Sequence, residues 1–268
     1  MKKIFEIIIG LAFSLNIQAQ SHEVLISTNM GDMKFMLYDD TPLHRDAFLE
    51  LVEKNHFDGT LFYRTIADFM IQGGSRDSKN APAGKFIGYG DPDQTVNDEI
   101  LKHHICKKGA LCAPRQPDDI NIFKQSDISQ FFIIQGRKYR LGQLDTMEFA
   151  VNRPINKKII DEAYPPEKRE LLQQLKDEKK FVEARKLVDE VKDEIAVNYQ
   201  LAAGKLEFSQ AQRDAYTSIG GSPEIENEYT VFGEIMEGFE VIDKIAALKT
   251  DENDRPYTDV KINIEVIK

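Results

Sequence analysis

The stretch Leu61-Phe62-Tyr63-Arg64-Thr65-Ile66-Ala67-Asp68-Phe69-Met70-Ile71-Gln72-Gly73-Gly74 decides how the rest of this chain is read. It sets one arginine and one glutamine among aromatic and thioether side chains and closes on a glycine pair. Apolar and β-branched residues run up to Ala67-Asp68 and resume after it, which predicts a β-hairpin turning at that dipeptide. In the second strand the period of two puts Met70 and Gln72 on one face, with Phe69 flanking them at the strand's start. An arginine beside such an apolar cluster marks a site. The plainer alternative is a surface cation, because arginine is seldom buried.

Two more stretches lie further along the chain. Phe62-x-Arg64-x-Ile66-x-x-Phe69-Met70-Ile71-Gln72-Gly73-Gly74 closely resembles the signature hairpin of the cyclophilins, the peptidyl-prolyl cis-trans isomerases. Ser129-Gln130-Phe131-Phe132-Ile133 is similar to that family's SQFFI strand, and Tyr229-Thr230-Val231-Phe232-Gly233-Glu234-Ile235 to its closing strand. Separated matches in the family's order carry far more than a lone Gln-Gly-Gly. The resemblance covers residues 23–136 and 223–268. It implies a mainly β fold, a closed eight-stranded antiparallel barrel with two capping helices; strand pattern alone would also permit a sandwich.

Rotation about a peptide bond faces a barrier of about 18–20 kcal/mol because the nitrogen lone pair is shared with the carbonyl. Proline lowers the cis penalty, yet exchange stays slow. Catalysis needs no nucleophile, metal or cofactor: the proline ring must be held and a localised nitrogen lone pair favoured. A permanently charged guanidinium suits that task, and the resemblance gives it to Arg64. It also implies that Gln72 and Gln130 position the substrate backbone and Arg64, and that Phe69, Met70, Phe132 and Ile225 form the ring pocket. The family's backbone-clamping pair aligns with Pro114-Arg115, and its pocket histidine with Tyr229, which still offers a hydrogen-bond donor. The chain has no Trp, and Glu224 stands where many cyclophilins hold cyclosporin with an indole, so weak cyclosporin binding is expected. The expected ligands are proline-containing peptides. A non-catalytic chaperone whose pocket only grips such peptides, with a helical insertion at about 137–222 contacting clients, is the alternative.

Lys2-Lys3, an apolar run from Ile4 to Leu15 and Ile17-Gln18-Ala19 predict an export signal over residues 1–19, with the mature chain from Gln20. The run is short for a spanning helix, with an uncleaved membrane anchor as the alternative; no other segment reads as a span, so stable membrane insertion of the mature chain is not expected. Export places residues 20–268 in a periplasm or outside the cell. There Cys106 and Cys112 either form a disulfide or stay as buried small hydrophobes, and their spacing leaves both open. Five histidines, with only His103-His104 adjacent, form no metal-ligand pattern with the cysteines. The chain has 35 basic and 45 acidic residues; without Lys2, Lys3 and Glu6 it has 33 and 44, a net charge of −11, which disfavours nucleic acid as a partner.

Residues 23–28 and 32–38 read as paired strands, followed by a helix capped by Thr41 with Pro42 in its first turn and an apolar stripe of Ala47, Phe48, Leu51 and Val52. The glycine-rich stretch from Asp77 to Thr95 lacks the Lys-Ser/Thr of a phosphate cradle and reads as a surface loop. Strands are expected near 108–113 and 129–135. A helical insertion then occupies about 137–222, interrupting the barrel. Leu171, Leu172, Leu175, Val182, Leu187, Val188, Val191, Ile195 and Leu201 recur there at three-, four- and seven-residue steps. Ser209-Gln210-Ala211-Gln212 predicts a capping box for a short last helix. Residues 153–216 carry 13 basic and 13 acidic side chains, so the net charge lies on the rest. The insertion reads as solvated helices packed on each other or on the barrel, or else as an arm for clients or a second subunit. A helix over about 239–248 and a strictly alternating strand over 260–267 close the chain.

Overall fold

The computed structural model describes residues 22–91 and 94–267; the export-signal reading of residues 1–19 lies outside them. The strands are β1 (His22–Thr28), β2 (Gly31–Leu37), β3 (Thr60–Ile66), β4 (Met70–Gly73), β5 (Thr95–Val96), β6 (Ala110–Cys112), β7 (Ser126–Asp127), β8 (Phe131–Ile134), β9 (Val231–Glu237) and β10 (Lys261–Ile267). Eight close a barrel in the order β1-β10-β3-β4-β8-β6-β9-β2, with every paired neighbour antiparallel. Alternation along β1, β2 and β10 sends Val24, Ile26, Met33, Phe35, Ile262 and Ile264 inward, so pairing β10 back to β1 buries one face of each strand and leaves no open edge there. Inside, the rings of Phe48, Phe57, Phe62, Phe131 and Phe232 meet at centroid distances of 5.0–5.9 Å, several edge to face, as the ring quadrupole favours.

Two helices cap the barrel. Helix α1 (Pro42–Glu53) buries Phe48, Leu51 and Val52 and also His44. Thr41 precedes it but makes no side-chain cap; the carboxylate of Glu99 accepts from the N–H groups of Leu43 and His44, both at 3.0 Å. The orphan donors of the first turn are thus met from a distant loop, with a negative charge at the positive end of the helix. The C-terminal helix, over Phe239–Ala246, buries Val241, Ile242, Ile245 and Ala246.

Between β8 and β9 the chain forms α2 (Leu141–Ala163), α3 (Pro166–Asp177), α4 (Phe181–Leu201) and α5 (Gln210–Ser218); the C-terminal helix is therefore α6. The excursion is pinched at its base, where Arg137 and Gly221 exchange backbone hydrogen bonds of 3.1 and 3.0 Å. A Cβ on Gly136 would lie 2.3 Å from the Gly221 backbone, so this crossing requires glycine. Helix α2 runs through Pro154 and lies wholly before Leu171, where the leucine pattern begins; one missing backbone donor does not end a helix that buries Leu144, Ile159 and Ala163. The leucine stripe is also less buried than its spacing suggests. Leu172 and Val191 are buried, but Val182 and Leu201 are 81% and 79% exposed. Helices α2 and α3 pack on α4, and α5 packs on α2. Ser209 and Gln212 form the expected capping box of α5.

Candidate active site

The hairpin forms as the residues dictate: β3 and β4 pair with Arg64 opposite Gln72 and Ile66 opposite Met70. Asp68 takes φ +61° in the turn, a conformation that Asp tolerates better than most side chains. On the other edge of β4, Gln72 pairs with Phe132 of β8. Arg64, Phe69, Met70, Gln72, Pro114, Arg115, Phe132 and Tyr229 surround a depression of about 180 Å³. Its floor is apolar: Met70 and Phe132 are buried with Cys106, Ala110, Cys112 and Val231 beneath them. Tyr229 stands edge-on to Phe132 at 5.2 Å. The depression thus combines a buried apolar and aromatic floor with a partly exposed cation, Arg64, in its lining.

Arg64 is half-exposed and donates from Nε to Asp254 Oδ2 at 3.3 Å. Asp254 lies 190 residues away in the loop between α6 and β10, with its carbonyl accepting the N–H of Thr65 at 2.9 Å. No local pattern in the sequence pointed to it. Beyond Arg64 a second depression of about 400 Å³ is lined by Tyr63, Arg64, Gln72, Asp254 and the 85–88 loop. Arg255, 5% exposed, ties that loop down by donating to the carbonyls of Ala81, Pro82 and Lys85.

Behind Gln72 runs a directed hydrogen-bond relay. Gln72 Nε2 donates to Tyr63 Oη at 2.6 Å, the Tyr63 hydroxyl donates to Gln130 Oε1, and Gln130 Nε2 donates to Asp127 Oδ2 at 2.7 Å. Burial pushes the Tyr63 phenol well above its ordinary value, so it stays protonated and able to donate. One N–H of the Gln72 amide is held by Tyr63, which fixes the amide's orientation and leaves its carbonyl oxygen as the end suited to receive a peptide N–H. Asp127 is itself held by the small β5–β7 ribbon, in which Thr95 pairs with Asp127, and by its N–H to Pro114 O at 2.8 Å. Gly88 and Gly90 press on this relay: added Cβ atoms would lie 2.4 Å from Tyr63 and 1.9 Å from Asp127.

Of the residues singled out from sequence, Arg64, Phe69, Met70, Gln72, Phe132, Tyr229 and Arg115 converge on the smaller depression, and two stand back. Gln130 is 5% exposed and turned to Tyr63 and Asp127, because the relay consumes both ends of its amide. Ile225 packs against the apolar floor without lining the cavity. Arg115 borders it, but Nε donates to Glu228 O at 2.7 Å, Nη2 to Glu228 Oε2 at 2.8 Å, and Nη1 to Gln116 O and Asp118. Its guanidinium lies over the Tyr229 ring at 5.3 Å and so braces that ring. The carbonyl of Pro114, beside it, is taken by Asp127. Cys106 and Cys112 are free, and burial pushes both thiols well above the ordinary range.

This arrangement can hold a small apolar ring beside a fixed cation, with hydrogen-bonding groups on either side. A family model described as cyclophilin type peptidyl-prolyl cis-trans isomerase/CLD matches residues 23–266. A Staphylococcus saprophyticus protein named as a peptidyl-prolyl cis-trans isomerase is 26% identical over 258 residues, covering 95% of this chain and 97% of that one. A Streptococcus pyogenes protein named as a bifunctional phosphatase/peptidyl-prolyl cis-trans isomerase is 28% identical over 252 residues; the match covers 91% of this chain and 38% of that longer protein. A crystal structure of a Cryptosporidium parvum cyclophilin type peptidyl-prolyl cis-trans isomerase superposes with a TM-score of 0.52 at 18% identity, over 92% of this chain and 98% of that one.

Proposed function

The chain belongs to the cyclophilin-type peptidyl-prolyl cis-trans isomerase family, and from that premise we propose that Arg64 is the electrostatic catalyst of X-Pro rotation in a protein exported to the periplasm to help envelope proteins fold. The observation that carries this reading is the placement of Arg64 on the rim of an apolar depression, with Gln72 across the ladder and Asp254 on Nε. With Nε engaged, the two terminal nitrogens of the guanidinium are the donors left for substrate. They stabilise the prolyl nitrogen as its lone pair localises in the twisted state. Phe69, Met70 and Phe132 hold the ring and exclude water, which strengthens that interaction. The carbonyl oxygen of Gln72 receives a backbone N–H, and the Tyr229 hydroxyl donates to a substrate carbonyl. A solved Cryptosporidium parvum relative was crystallised in the presence of the dipeptide Ala-Pro, a ligand of the chemistry proposed here.

The barrel portion on either side of residues 137–222 carries this chemistry, and the helices between are the accessory part. Two measurements test the reading. The periplasmic fraction should yield a chain whose N-terminal sequence begins at Gln20. That chain should turn over X-Pro peptides, and Arg64→Ala should lose most of that activity.

A second reading, a chaperone whose helices contact clients, is favoured by Phe149, Phe181, Val182 and Leu201, all well exposed on α2 and α4. Replacing these four by serine should then abolish protection of an unfolding client and leave peptide turnover unchanged.

A further inference from the structure

We propose that Asp40, His103 and His104 form a zinc site at the junction of the β2–α1 turn and the loop that precedes β6. Two imidazoles converge on the two oxygens of one carboxylate: His103 Nε2 lies 2.7 Å from Asp40 Oδ2, and His104 Nε2 lies 2.7 Å from Asp40 Oδ1. The three ligand atoms all sit within 4.8 Å of one another. Zinc holds nitrogen and carboxylate oxygen at about 2.0–2.2 Å, so tetrahedral ligands stand about 3.3 Å apart. The 2.7 Å contacts to Asp40 are shorter than that, so an ion entering between these groups parts them, and His103, whose side chain is 64% exposed, has room to turn. Two imidazoles and a carboxylate suit zinc rather than magnesium or calcium, which prefer all-oxygen shells. With the imidazole proton on Nδ1, each Nε2 lone pair is available to the ion, and water completes the fourth position on the solvent side.

His104 is held in place before any ion arrives. The His104 ring stacks on Tyr38 at 3.9 Å with planes 10° apart, and the His104 N–H donates to Leu101 O at 3.0 Å. Asp40 sits in the turn between the end of β2 and Thr41. The His103 and His104 rings lie 4.3 Å apart. The same loop supplies Glu99 to the first turn of α1, so a bound ion fastens a second point of a loop already docked there. The adjacent histidine pair is visible in the sequence, but its third ligand is 63 residues upstream. The residues that line the proline depression take no part in this cluster.

Calorimetric titration of ZnCl2 into the tag-free mature protein tests the proposal, with magnesium chloride as control and His103→Ala, His104→Phe and Asp40→Asn beside wild type. Phenylalanine at 104 keeps a ring on Tyr38 while removing the nitrogen. The expected result is one zinc per wild-type chain, no magnesium binding, and affinity at least about 100-fold weaker in each histidine variant, at or beyond the ~10–100-fold that loss of a group merely supporting a ligand costs. Zinc should also raise the melting temperature of wild type and not of His104→Phe, because binding to the folded chain alone stabilises it. Absence of zinc binding, equal binding of magnesium, or zinc binding unchanged in both histidine variants would each overturn the proposal.

Discussion

Removing one hydroxyl, in Tyr63→Phe, tests whether the relay behind the site holds Gln72 in its working orientation. The Tyr63 oxygen accepts from Gln72 and donates to Gln130, so its loss unpairs two amide groups at once. Gln130 is 5% exposed and water cannot replace the lost donor, whereas Gln72 is partly open and recovers a water. The stability cost is therefore that of one buried unsatisfied group, about 1–3 kcal/mol. The catalytic cost arises because Gln72, no longer tethered through its NH2, samples rotamers in which its carbonyl oxygen does not face the substrate. A loss of about 1–2 kcal/mol from the transition state corresponds to a roughly 5–30-fold fall in kcat/KM. Urea melts measure the first quantity and protease-coupled turnover of an X-Pro peptide the second. Tyr63→Phe with wild-type turnover and a normal melt would refute the claim that this relay positions Gln72.

Gly90→Ala should damage the same relay from outside, since φ is +72° and the new Cβ falls 1.9 Å from Asp127 and 2.5 Å from Gln130; reduced turnover with a circular dichroism spectrum like wild type is expected. Burial pushes His44 and His56 below the ordinary 6.5. Each is then neutral in the fold where the unfolded chain binds a proton. Their contribution is complete above pH 6.5 and is lost as pH falls toward the folded values, at up to about 1.4 kcal/mol per pH unit for each. His44→Gln should accordingly flatten the pH dependence of urea stability in that window; an unchanged slope would contradict the assignment. Cyclosporin should bind weakly, because the chain has no indole and Glu224 already accepts the Tyr139 hydroxyl; calorimetry giving tight binding would contradict this.

What the sequence made legible was local. The hairpin, the first two strands, the terminal strand and the α5 capping box follow from periodicity and turn chemistry over a few residues. The resemblance ordered these pieces into a barrel. What stayed hidden depends on distant partners. Asp254 reaches Arg64 only after β10 pairs with β3, Glu99 caps α1 where Thr41 was expected, and Gln130 turns inward because Tyr63 and Asp127 take its amide. The leucine spacing in α3 and α4 reported helices correctly but overstated burial, since a stripe shows only which residues share a face and not whether another element covers it.

The measurement that bears most directly on the account is turnover of a short X-Pro peptide by the mature chain, followed by NMR exchange spectroscopy, with Arg64→Ala beside wild type. Losing a preorganised charged donor should remove about 2.7–4 kcal/mol of transition-state stabilisation, a fall of ~10²–10³ in rate, while the fold persists. The account predicts that loss. Near-wild-type exchange catalysed by a well-folded Arg64→Ala protein would contradict it.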